Sequence, residues 1–189
     1  MNHRFRIAAV LAAATLALAG CGSNDTTSGG STKDFNDADV AFATEMIPHH
    51  QQALVMVVMT EGRSLDPEFE KLTEEIKKAQ TPEIETMSGW LEDWGQEPAD
   101  HAGHGMDGMG MDEMPGMMSN DELSALNESG PRTFEDRWLA MMIEHHEGAI
   151  EMAEVEQADG RYQPAIDLAS SIATSQEAEI ATMKRLRGQ

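Results

Sequence analysis

MIPHHQQALVM, Met46–Met56, and MIEHHEGAIEM, Met142–Met152, are one segment written twice. Adding 96 to a residue number in the first half reaches its counterpart without a gap: Phe42 to Trp138, His49 and His50 to His145 and His146, Ala53 to Ala149. The correspondence runs on through Leu72 and Leu168, Ile76 and Ile172, Gln80 and Gln176, Glu83 and Glu179, Met87 and Met183. Apolar residues recur at three-to-four spacing, the period of an amphipathic helix, and each half reads as two helices. One such hairpin cannot bury its apolar face alone. Two of them packed about a pseudo-twofold axis make a four-helix bundle, so the chain is expected to be all-α.

The first helix is expected from near Asp37 to about Glu61, where Gly62 offers a stop, and the second from Asp66-Pro67 to Trp94, closed by Gly95. Ser119 with Glu122 makes a capping box for a short helix ending near Glu128. The third long helix spans about Thr133 to Asp159 and the fourth about Gln163 to Leu186. The bundle domain thus covers residues 36–187: repeat one 36–95, a linker rich in Met and His 96–132, and repeat two 133–187. Pro48, whose counterpart is Glu144, breaks the symmetry. A proline inside a helix removes one backbone bond and crowds the carbonyl four residues back, here Thr44, so a kink or local widening is expected just before His49.

On a wheel with Met46 at zero and a step of about 100° per residue, Ala53 falls near −20°, His49 near −60° and His50 near +40°. Both histidines flank the midline of the buried stripe, and the repeat lays out His145 and His146 alike. Gln80 and Glu83, and Gln176 and Glu179, stand on otherwise apolar faces and need partners if buried; imidazole N–H groups would supply them. Two readings fit: a polar core network with methionine as filler, or a metal site in which Glu83 and Glu179 either orient the histidines or are ligands themselves.

The linker carries His101, His104, Met106, Met109, Met111, Met114, Met117 and Met118, with six methionines in the thirteen residues 106–118. Thioethers in a Gly-rich loop have no evident packing role, and thioether with imidazole selects Cu(I) or a similarly soft ion. Zinc seldom takes methionine. The linker is therefore expected to be an accessory metal site.

Residues 1–20 read as a secretory leader, with Arg4 and Arg6 before an apolar run too short for a comfortable membrane span. Leu18-Ala19-Gly20-Cys21 matches the bacterial lipobox, which implies cleavage before Cys21 and a lipid on its sulfur, with residues 21–35 as lipidated cysteine and flexible tether. Cys21 is the one cysteine, so no disulfide forms within the chain. Of 13 Lys and Arg residues two lie in the leader, leaving 11 against 34 Asp and Glu. Such a surface disfavours nucleic acid and anionic membranes and favours cations. No P-loop, dinucleotide fingerprint or catalytic triad is apparent, so a hydrolase or transferase is not expected.

MIPHHQQALVM, MPGMM, MMIEHHEGAIEMA and the Q-x-x-E-I-x-x-M segments together resemble a bacterial family of secreted and lipid-anchored proteins. It is a domain-of-unknown-function family with a ferritin-like four-helix fold that includes the CopM-type copper-binding proteins. The resemblance covers about residues 36–187. It implies an extracytoplasmic role, copper as the bound metal and, for some members, a link to copper tolerance. The ligands it implies are Met46, His49, His50, Met56, Met142, His145, His146 and Met152. A ferritin-like di-metal oxidase is the alternative, but such sites use Glu-x-x-His pairs. Here Glu45 stands four residues before His49, and Glu144 directly precedes His145.

Overall fold

A computed structural model describes residues 34–96, 114–131 and 133–188. The leader, Cys21, most of the tether, and His101, His104, Met106, Met109 and Met111 lie outside the described residues. The described residues form five α-helices and no strand: α1 (Asp37–Val58), α2 (Pro67–Trp94), α3 (Asn120–Asn127), α4 (Phe134–Asp159) and α5 (Gln163–Leu186). None of them is long and apolar enough to cross a membrane.

Local chemistry sets the ends. The Asn36 side chain accepts from Ala38 N and Asp39 N, and Asp39 accepts in return from Asn36 N, a reciprocal box that starts α1. Asp66 caps α2 with Pro67 at its first position, and Gly95, at φ 66°, ends it in the left-handed conformation. Ser119 and Glu122 form the expected box on α3. α1 stops at Val58, short of the expected Glu61, because the amides of Thr60 and Glu61 turn to the carbonyls three residues back. Thr60 N bonds Val57 O, and the Met56 carbonyl instead receives the Trp138 indole N–H at 2.8 Å. Pro48 lies inside α1 without interrupting its α-helical run, so no turn of wider pattern precedes His49.

α1 packs on α2 and α4 on α5, giving the two hairpins; α1 then meets α4, and α2 meets α5. α3 rides on α4. The apolar core is in two parts. One holds Ala53, Met56, Phe69, Leu72, Ile76, Trp138, Met142 and Met183; the other holds Phe42, Met46, Met87, Leu91, Ala149, Met152 and Ile172. Met56 of α1 shares a cluster with Met142 of α4, and Met46 with Met152, as antiparallel helices require. The two histidine pairs occupy the boundary between the clusters.

The hairpins also hold each other's turns in a repeat-related way. Asp39 Oδ1 accepts from Arg161 N at 2.9 Å and Tyr162 N at 2.8 Å, in the turn between α4 and α5. Its counterpart Glu135 accepts from Asp66 N at 3.0 Å, in the turn between α1 and α2. Asp39 is fully buried. Burial alone would raise its pKa, but bonds from Asn36, Tyr162, Glu156 and Arg161 hold it below the usual value. Glu156, also buried, is pushed up to about 8 by burial and by Asp39. As a carboxylate Glu156 has no donor facing it; as a carboxylic acid it donates to Asp39.

The folded chain therefore keeps a proton on Glu156 that the unfolded chain releases near pH 4.5. Stability from this pair is present below pH 4.5 and is lost as pH rises towards 8. Glu156→Gln, neutral throughout, should match the parent in urea denaturation at pH 5 and exceed it increasingly from pH 6 to 8.5. A constant gap across that range would contradict the shared proton.

Candidate metal centre

Adjacent residues on a helix diverge by about 100°, and each histidine pair uses that divergence to face two neighbours. All four rings are fully buried. His49 of α1 and His145 of α4 turn toward each other across the bundle, with ring centroids 3.8 Å apart and planes 39° apart. His50 turns to α2, where its Nε2–H donates to Glu83 at 2.9 Å. His146 turns to α5 and donates likewise to Glu179 at 2.7 Å. The wheel places both histidines of a pair inside, and the structure adds that one serves the helix across the bundle and the other its own hairpin.

These partners decide which ring atom is left over. A carboxylate oxygen can only accept, so Nε2 of His50 and His146 carries the hydrogen. The Pro115 carbonyl, 3.0 Å from His49 Nε2, imposes the same assignment there. Nδ1 of all four histidines is buried with no hydrogen-bond partner, and His145 has none at Nε2 either. The His49 backbone carbonyl is near His145 but short of a well-formed hydrogen bond. An imidazole held at one nitrogen by a carboxylate or carbonyl and bare at the other is the arrangement of a metal-binding histidine with its orienting partner.

The remaining expected residues divide. Met46, Met56 and Met142 are fully buried and Met152 nearly so, in the two apolar clusters flanking the histidines. Met114 and Met117 are half-buried. Met118 is not displayed on an exposed loop but packs into the core cluster with Leu126 and Phe134. Gln80 and Gln176 are buried, yet both amide atoms of Gln80 and Oε1 of Gln176 lack partners; the histidines serve the glutamates instead. Among the described residues no three His, Cys, Asp or Glu side chains are grouped as a metal cluster. Glu83 and Glu179 each face a histidine. The donor set on offer is imidazole Nδ1 with nearby thioethers, which suits Cu(I) better than harder cations.

Sequence reasoning missed a strap. Residues Met114–Met118 cross the α1–α4 face, and Gly116 adopts φ 72°. A Cβ at Gly116 would lie 2.5 Å from the Glu144 carbonyl oxygen, and one at Gly148 would lie 2.1 Å from the Pro115 carbonyl oxygen. The Gln52 amide grips the strap's far end, donating to Met118 O at 2.8 Å and accepting from Met118 N at 2.7 Å. Pro48 lines a groove with Met117 and Leu123. Every one of these seats falls where the repeat fails: Gln52 stands opposite Gly148, and Pro48 opposite Glu144. Those mismatches were the available signal.

Burial, then the neighbouring His50, lowers His49 to about 3, and burial with three neighbouring imidazoles lowers His145 well below its ordinary value. Imidazoles with ordinary values take up protons below about pH 6.5; these two rings resist that. For the metal-free fold the linkage runs the other way from Glu156. The unfolded chain takes up protons near pH 6.5 while these rings stay neutral, so their contribution is intact above that pH and is lost as pH falls towards 3. His145→Leu should flatten the acid side of a plot of urea midpoint against pH. An unchanged slope between pH 6.5 and 4 would count against a neutral, buried His145.

Comparison with known proteins agrees with this architecture. The model of the family described as "Domain of unknown function (DUF305)" matches residues 39–187. A DUF305 fragment from Deinococcus radiodurans is 28% identical, with a TM-score of 0.71 over 81% of this chain and 97% of that one. A putative secreted DUF305 protein from Streptomyces coelicolor is 32% identical, with a TM-score of 0.70 over 80% and 92%. CopM in its Cu(II)-bound form is 31% identical, with a TM-score of 0.67 over 79% and 95%, and Cu(I)-bound and silver-bound forms of CopM match as well. No curated protein matches. Two repeated hairpins, paired histidines and a family match over nearly all of the bundle lead to one conclusion: the chain belongs to the DUF305 family.

Proposed function

We propose that the chain is an extracytoplasmic copper-binding protein, held to the membrane by a lipid on Cys21, that captures and buffers Cu(I) in support of copper tolerance. The observation that carries this reading is the set of four buried Nδ1 atoms without partners, three of them on rings fixed through Nε2 by Glu83, Glu179 and Pro115. A buried imidazole nitrogen left bare costs about 1–3 kcal/mol, and a bound cation would offset that cost. The methionines on either side supply the soft donors that distinguish copper and silver from zinc or iron. The copper- and silver-bound forms of CopM, at 28–31% identity, support the choice of metal. The rings do not converge as a ready cluster, so binding would include rotation of His49 and His145 out of their close, tilted contact. The Met and His residues of the linker would form an accessory site, and the acidic surface would concentrate cations near both at low salt.

The test is anaerobic titration of residues 22–189 with Cu(I) against a colorimetric chelator. Glu83→Gln and Glu179→Gln should each weaken Cu(I) binding about 10- to 100-fold, the usual effect of removing a charged partner behind a histidine ligand. Deleting residues 101–113 should lower the stoichiometry and leave the tighter binding in place. Absence of any retained copper in the parent would refute the function. Equal affinity in the parent and both glutamate variants would move the site away from the imidazole belt.

A further inference from the structure

The strap is built more tightly than a linker needs. Its two ends are gripped by different chemistry on two different helices. At Met118 the Gln52 amide reproduces a backbone pairing, one bond given and one received, both buried. At Pro115 and Gly116 the contact is steric: helix α4 offers a glycine at Gly148, and the strap offers one back at Gly116 over the Glu144 carbonyl. Between these grips the Pro115 carbonyl takes the Nε2–H of His49, the ring tilted against His145. The strap thus covers the α1–α4 seam at the two rings that have no carboxylate of their own. His50 and His146 turn instead to Glu83 and Glu179 on their hairpin mates.

We infer that the Met114–Met118 strap is a latch over the imidazole belt, and that Gln52 and Gly148 are positioning residues that set how fast a cation exchanges with His49 and His145. The inference rests on the copper reading above. Release of the Gln52 grip frees Met118, lets the Pro115 carbonyl leave His49 and opens the seam between α1 and α4. Met114 and Met117, half-buried on the same strap, then move with it and present thioethers to the incoming ion. Affinity, set by the rings and their carboxylates, stays nearly constant, while association and dissociation change together.

The experiment is stopped-flow transfer of Cu(I) from the loaded mature chain to excess chelator, read beside equilibrium affinity. Gln52→Leu removes both hydrogen bonds to Met118 and should speed transfer about tenfold or more, since two buried hydrogen bonds are lost from the closed state, with the dissociation constant changed less than the rate. Gln52→Glu keeps the acceptor for Met118 N and loses the donor to Met118 O, so it should fall between Leu and the parent. Gly148→Ala should speed transfer as well, and in the metal-free protein it should shift the His49 ring-nitrogen NMR signals, because a Cβ there displaces Pro115. Leu91→Ala, a cavity in the other core cluster, controls for lost stability and should leave the rate alone. Parent-like transfer rates in Gln52→Leu and Gly148→Ala, or the same acceleration in Leu91→Ala, would overturn the latch while leaving copper binding intact. A parent that retains no copper would overturn the functional reading and the latch with it.

Discussion

Four imidazoles in the middle of a helical bundle are the constraint to which the rest of this structure answers. They occupy the level at which α1 crosses α4, and they split what would be one apolar core into two. Each ring needs a partner for its N–H, and the fold provides three from three different places: a glutamate on α2, a glutamate on α5 and a carbonyl on the strap. Core burial above and below the belt has to compensate for the bare nitrogens that remain. That explains why so many of the largest buried side chains, Phe69, Trp138, Met56 and Met142 on one side and Met46, Met87 and Leu91 on the other, lie on either side of it.

The second organising fact is the failure of the repeat along one strip. Two identical hairpins about a twofold axis would present identical groups on both sides of the seam between α1 and α4. The strap from Met114 to Met118 crosses that seam once. A long amide is needed on one helix to hold it and a missing side chain on the other to admit it, which is why Gln52 and Gly148 differ although His50 and Ala53 match His146 and Ala149. Pro48, an odd residue inside a continuous helix, belongs to the same strip.

Much of this was legible in the amino-acid order. Helix ends are local events, and Asp66-Pro67, Gly95 and the Ser119–Glu122 box mark them correctly; the end of α1 shifts, where Thr60 tightens the last turn. The repeat exposed the pairing of hairpins, and the wheel put all four histidines inside. A wheel has no distances, however, so it cannot tell a histidine facing its own hairpin mate from one facing across the bundle. Nor can it tell Glu83, which finds a histidine, from Gln80 one turn earlier, which does not. Met118 was misjudged for a related reason: a glycine-rich context reads as exposed, and only the tertiary path of the strap carries that side chain into the core.

The reciprocal bonds between hairpins have a consequence for how such a molecule can be built. Asp39 in one half holds the turn of the other, and Glu135 returns the favour at Asp66. A free hairpin bearing both the acid and the turn would satisfy these bonds by closing on a second copy of itself, and every feature of that dimer would occur twice. Joining the halves in one chain removes that obligation. A connecting segment passes over one seam and not its mate, so covalent fusion is what allows a symmetric box of histidines to have a single, one-sided door.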